Sequence, residues 1–367
     1  MPNGQAGEDP RTSDHAIIIG VTRYPELSRD GGTADLQGSI NDAEGIRNWL
    51  VRPDGGGVPV ANIEYLIREQ ATPADKADPT RDAVVRAFVR MYARCWPNGP
   101  AGPPKVPTGR RLYVYVSGHG LASDPDNGAL LCSNSTDNLY STVAPVPSIK
   151  AFRQAGFFRQ FVVWFDGCMD WPGLEPEGIN YNPRPGNDLN PPGPVFTAYA
   201  ARPRLRAVES ADAQGKMGGV FTRTLLAGLG GGAADPDKNG MIDGFSLQRY
   251  LLNTMPKHLP PEAAANALVD KQPFVRTDPG IEFGTAREVP LPTIVLNFDP
   301  RYNGTDAQVW GRKSGMPNLS LVTKEPIQNG EVRLQLLDGM YAVDVPGHNL
   351  QTTFEVTGGL VTKLPSN

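Results

Sequence analysis

The chain has 367 residues, enough for two ordinary domains or one large domain with an appendage. Apolar residues make up 39% and charged residues 20%, which suits a packed core and argues against wholesale disorder. The formal net charge of -4 argues against a nucleic-acid-binding surface, and no apolar run reaches the roughly 18 residues that a membrane-spanning helix needs.

The first 14 residues, MPNGQAGEDPRTSD, are polar and lack the apolar stretch of a secretory signal. They read as a disordered lead, and the cytoplasm is the expected compartment. HAIIIGVT (15–22) is a short β-branched run, a buried strand by length and composition. Residues 40–51 put Ile40, Ala43, Ile46 and Leu50 at near-helical spacing, with Ser39 or Asn41 as the expected N-cap. NIEYLI (62–67) is a second strand. A helix follows over 80–94, capped by Thr80, with Val84, Val85, Phe88 and Tyr92 on one side.

RLYVYVSGHG (111–120) is a third strand that runs into a Gly-flanked turn, and QFVVWFDGC (160–168) is a fourth, after a helix near 147–156. Residues 169–193 form a loop of 25 residues with no periodicity, a length that is usually functional or disordered. PVFTAYAA (194–201) is a fifth strand, helices follow near 218–229 and 245–255, and KQPFV (271–275) is a sixth strand. Strands alternating with helices predict an α/β domain over 15–285, with a mainly parallel six-stranded sheet and helices on both faces. From 288 to 367 short strands separated by turn residues, with no helical stretch, predict a small all-β sandwich-like domain. GTAREVPLP (284–292) reads as the linker.

The chemistry narrows quickly. Three widely spaced cysteines, Cys95, Cys132 and Cys168, give neither a disulfide framework nor a zinc spacing, so no metal site is expected from them. Of the four histidines, only His119 leaves a strongly apolar strand into a Gly-His-Gly turn. Taken alone, such a His is more often structural, and a Cys at a strand end is more often a small buried residue. Together they gain weight. Each follows the carboxyl end of an apolar strand, the edge where parallel-sheet sites form. An imidazole beside a thiol raises the reactive thiolate fraction.

YVYVSGHG (113–120) and FVVWFDGC (161–168) resemble the two catalytic motifs of the caspase-like peptidases, metacaspases and paracaspases included. His119 precedes Cys168 by 49 residues (168 − 119), close to the roughly 50 of that family. The caspase pentapeptide is absent, and DGCMD resembles instead the Asp-x-Cys form of metacaspases, without their usual Ser-Gly after the Cys. Further segments agree in order: IIIGVTRY (17–24), DLQGSINDAEGIRNWL (35–50), GGVFTRTLLAGL (218–229), DPDKNGMIDGFSLQRYL (235–251) and KQPFV. The resemblance covers roughly residues 15–283.

The resemblance implies a cysteine endopeptidase with Cys168 as nucleophile and His119 as general base and then general acid. It implies an oxyanion hole made by the backbone amides of Gly120 and Cys168. It also implies an S1 pocket for Arg or Lys floored by Asp42 and Asp166; the plainer readings are a helix-terminal Asp and a strand-terminal Asp. The partners so implied are a protein or peptide substrate with basic P1 and an activating protease or partner protein acting on a zymogen. Cleavage within the loop after Cys168 meets Arg184, which Pro185 disfavours, and Arg204 and Arg206 are further candidates. Bacterial relatives are associated with stress or defence pathways.

No cofactor is expected. Calcium is a minor alternative: Asp235, Asp237, Asn239 and Gly240 fall at positions 1, 3, 5 and 6 of an EF-hand-like loop, but Ser246 stands where the bidentate Glu belongs. The rival reading is a catalytically silent caspase-like scaffold that acts through its C-terminal β domain.

Overall fold

The computed structural model describes residues 9–29, 32–68, 72–73, 75–98, 102–122, 124, 127–170, 178–179, 181, 192–212, 214–234, 240–285, 293–312, 319–336, 339–348, 350–357 and 360–363. The chain divides into two units, Met1–Thr285 and Ala286–Asn367.

The first unit is built on a six-stranded sheet of β1 (His15–Gly20), β2 (Ile63–Ile67), β3 (Gly109–Ser117), β4 (Phe158–Asp166), β5 (Val195–Tyr199) and β6 (Phe274–Thr277). The spatial order is β6-β5-β4-β3-β1-β2, and every pairing is parallel except β6 against β5. The pleat sends successive side chains to opposite faces, and both faces are covered, so the central strands read as unbroken apolar runs. In β3, Leu112, Val114 and Val116 join the core beneath α2 (Arg81–Arg94) and α3 (Pro145–Gln154). Tyr113 and Tyr115 face the other way, toward α1 (Ser39–Val51), α4 (Val220–Ala227) and α5 (Gly244–Thr254).

Several elements differ from expectation at their ends. Helix α1 buries Ala43, Ile46 and Leu50, as the spacing predicts, but neither Ser39 nor Asn41 caps it: Gly38 occupies the N-cap and makes no side-chain bond. Thr80 does cap α2, accepting from the Ala83 N–H at 3.3 Å. Strand β3 ends at Ser117, and Gly120–Leu121 opens a separate short strand paired with Ala129–Leu131. Helix α4 ends at Ala227 and passes into a π-turn over Gly228–Gly232.

The lead expected to be disordered is ordered from Asp9 onward. Pro10–Ser13 form a 3-10 turn, and the buried Asp14 pairs with Arg110. A charge buried without that partner would carry a heavy desolvation cost, so the pair holds the segment in place. Of the 25-residue loop after Cys168, Arg184 and Pro185 lie outside the described residues.

Among the described residues of the second unit every strand pairing is antiparallel. Thr293–Asn297 pairs with Glu331–Gln335. A five-stranded sheet runs Leu319–Pro326, Asp306–Arg312, Gly339–Val345, Leu350–Thr357 and Leu360–Lys363. Ile294, Leu296, Val332 and Leu334 from the first sheet share one core with Val309, Val343, Phe354 and Val356 from the second.

Trp164, on β4, is fully buried and meets Trp49 of α1 and Tyr113 of β3 at ring separations of 5.9 and 5.6 Å. Trp164→Ala is expected to cost about 3–5 kcal/mol, seen as a lower denaturant midpoint at unchanged slope.

Candidate functional site

The register of β3 against β4 sets Ser117 opposite Asp166. Just beyond, the Gly118 N–H donates to the Asp166 carbonyl at 3.1 Å. His119 therefore lies two residues past the end of β3, and Cys168 two residues past the end of its neighbour β4. The two ends touch through glycine: a Cβ on Gly120 would collide with the Cys168 carbonyl, so only a residue without a side chain permits this approach. The Leu131 N–H donates to the His119 carbonyl at 2.8 Å. In an antiparallel ladder bonded and non-bonded pairs alternate, so the Gly120 N–H points away from Ala129–Leu131.

The imidazole is held firmly. Nε2 lies 2.6 Å from the Ala34 carbonyl. A carbonyl only accepts, so Nε2 carries the hydrogen and Nδ1 is the basic nitrogen of the neutral ring. The His119 backbone N–H donates to the Tyr24 hydroxyl at 2.9 Å, and the two rings lie 4.9 Å apart. The Cys168 thiol donates to the Ala207 carbonyl at 3.8 Å. Cys168 is partly exposed, whereas burial pushes the thiols of Cys95 and Cys132 up to about 12. Those two pack in the core, and Cys168 is the most exposed of the three thiols.

His119, Cys168, Asp42 and Asp166 line one cavity of about 40 Å³, together with Leu36, Ser39, Ser117, Ala207, Val208 and Glu209. Asp42 comes from the first turn of α1 and accepts the Gly219 N–H with both oxygens, at 3.0 and 2.9 Å. Asp166, the last residue of β4, accepts from the backbone N–H and the hydroxyl of Thr222, at 3.1 and 2.5 Å, in the first turn of α4. Gly219 again admits the contact, since a Cβ there would strike the Asp166 carboxylate. Burial raises the pKa of both acids above the ordinary carboxylate range, and for Asp42 the charge of Asp166 adds to it; the Gly219 and Thr222 bonds oppose the rise.

Three further features carry no signature in the sequence. The Ser39 hydroxyl is buried against the cavity without a hydrogen-bond partner among the described residues, an arrangement that costs about 1–3 kcal/mol. Glu209, on a short strand paired with Met217–Gly219, bonds the Gln37 and Gly38 N–H groups at 3.1 and 2.9 Å and so holds the residues that lead into α1. Ala34 acts through a backbone carbonyl, which every residue possesses. Among the described residues no cluster of three or more His, Cys, Asp or Glu could hold a metal ion. Asp235, Asp237 and Asn239 of the calcium alternative lie outside the described residues. Ser246 is committed to a capping box with Asp243 at the start of α5. Among the described residues no helix is long and apolar enough to cross a membrane.

No protein-family model matches the sequence. A probable protease from a Desulfuromonadales bacterium is 30% identical over 251 residues, covering 64% of this chain and 29% of that protein. The chain thus spans less than a third of that relative's length. A crystal structure of a Geobacter sulfurreducens protein aligns at 14% identity and TM-score 0.40, over 75% of this chain and 98% of that one; a likeness this slight carries no argument.

The raised acids fix the sign of a pH effect. In the unfolded chain both ionise near pH 4, whereas the folded state resists their ionisation, so stability falls as pH climbs from about 4 through the raised folded values. Asp42→Asn removes one of the two charges. Its melting temperature is expected to exceed that of the wild type at pH 8, by about 2–4 °C for each kcal/mol relieved, and to match it near pH 4. Thermal melts at both pH values check this; an equal gain at both would refute the charge explanation.

Proposed function

We propose that this chain is a caspase-like cysteine endopeptidase that cleaves after Arg or Lys. The observation that carries the reading is the convergence of His119 and Cys168, from the carboxyl ends of adjoining parallel strands, on a cavity that also holds two buried acids with raised pKa values. The relation to a probable protease supports the general class.

In this reading the Cys168 thiol gives its proton to His119 Nδ1 as sulfur attacks the scissile carbonyl. The oxyanion sits against the Gly120 and Cys168 N–H groups. Collapse of the tetrahedral adduct transfers the His119 proton to the leaving amine and leaves a thioester on Cys168. A water molecule, deprotonated by His119, hydrolyses the thioester. The charge of Arg223 offsets only part of the cost of burying Asp42 and Asp166, and a guanidinium or ammonium entering between them restores their ionisation. The Ser39 hydroxyl offers the same cation a further acceptor.

A cavity of about 40 Å³ holds about one water molecule, far less than an Arg or Lys side chain requires. Its wall of Ala207, Val208 and Glu209 is tied to α1 by the Glu209 carboxylate. That narrow geometry supports a zymogen in which the wall rearranges before substrate enters.

Two experiments test the reading. In a fluorogenic panel, peptides with P1 Arg or Lys are cleaved and P1 Asp peptides are not. Cys168→Ala and His119→Ala each lower kcat by at least about a hundredfold. Efficient cleavage after Asp, or full activity without the thiol, would reject it. Intact-mass spectrometry of purified wild type beside Cys168→Ala tests the zymogen: a wild-type chain cut where the variant stays whole is expected, and two whole chains with full peptidase activity would overturn it.

A further inference from the structure

The loop between β1 and α1 touches His119 at two separate points. Its Tyr24 hydroxyl takes the His119 backbone N–H at 2.9 Å and donates to the Leu131 carbonyl at 3.2 Å. Its Ala34 carbonyl takes Nε2 at 2.6 Å. Tyr24 is 1% exposed, and its ring lies 4.9 Å from the imidazole at 45°. Leu131 closes a ring of bonds, because its own N–H returns to the His119 carbonyl.

The same loop is locked internally. The Asp35 carboxylate accepts the Tyr24 backbone N–H at 2.8 Å and pairs with Arg23 at 3.1 Å. The Leu36 and Ala34 N–H groups reach back to the Thr22 and Leu27 carbonyls. The residue that fixes the His119 main chain and the carbonyl that fixes its ring are therefore held in one rigid piece, with Asp35 as the fastener.

We propose that Tyr24 and Asp35 are positioning residues that set the His119 imidazole toward Cys168. Tyr24 fixes the height of the His119 main chain at the end of β3. Asp35 fixes Ala34 relative to Tyr24, and hence the rotation of the ring about its side-chain bonds. This rests on the dyad reading above. Displacement of a catalytic group by about 1 Å can cost a hundredfold in rate.

The test uses the full chain and a probe independent of substrate: the rate of Cys168 alkylation by iodoacetamide against pH, with Cys95 and Cys132 shielded by burial. The wild-type profile is expected to inflect below the ordinary thiol value of about 8.5, and His119→Ala to return it there. Tyr24→Phe, which keeps the ring and removes only the hydroxyl, is expected to move the inflection toward the free-thiol value. It should also lower kcat on a P1 Arg peptide by about 10- to 100-fold with KM changed less than about twofold. Asp35→Ala, outside the core, should shift both readouts in the same direction by less, and stands in where Tyr24→Phe does not fold. A profile that His119→Ala abolishes but both loop variants preserve, with wild-type kcat, overturns the brace alone. A wild-type profile that His119→Ala leaves unchanged overturns the dyad and the brace together.

Discussion

Everything at the candidate site follows from the contact between the ends of two adjoining parallel strands. Because β3 and β4 pair in register with Ser117 opposite Asp166, the residues two positions beyond each strand must emerge together. Gly118, Gly120 and Gly167 crowd that junction so closely that no side chain fits at the last two. The imidazole and the thiol are therefore brought together by main-chain geometry set in the middle of the sheet, beneath a fully apolar core. Little depends on any flexible side chain reaching across.

The same junction explains why the site is electrostatically expensive. Asp166 terminates β4 at the floor of the cavity, and α1 delivers Asp42 to the same place. Two carboxyls in a nearly dry space repel one another, and the nearby Glu209 raises both further. Backbone N–H groups at the start of α4 and the charge of Arg223 relieve part of this. Such a cluster lowers the stability of the folded chain wherever both acids are ionised.

Much of this organisation was legible in the sequence. The apolar runs YVYV and FVVWF, each followed by glycine and a reactive residue, reported the strands and their ends. The 3.6-residue pattern of Ala43, Ile46 and Leu50 reported α1. What escaped is of one kind: interactions supplied by distant residues. Ser39 looks like a helix cap in isolation, yet Gly38 takes that place, its N–H held by Glu209 some 170 positions later, and the Ser39 hydroxyl is buried against the cavity. Ala34 contributes a peptide oxygen and nothing that composition or periodicity registers. Tyr24 reads as a core aromatic, and only its place over His119 gives the hydroxyl significance. Order in residues 9–14 depends likewise on Arg110, an ion pair that no local pattern foretells.

The Glu209 carboxylate has a mechanical consequence. It ties one wall of the cavity to the opening turn of α1, the helix that carries Ser39 and Asp42. Widening the cavity by moving that wall strips two peptide N–H groups of their acceptor at the positive end of the helix dipole. The position of that wall and the start of the helix are thereby coupled through one carboxylate.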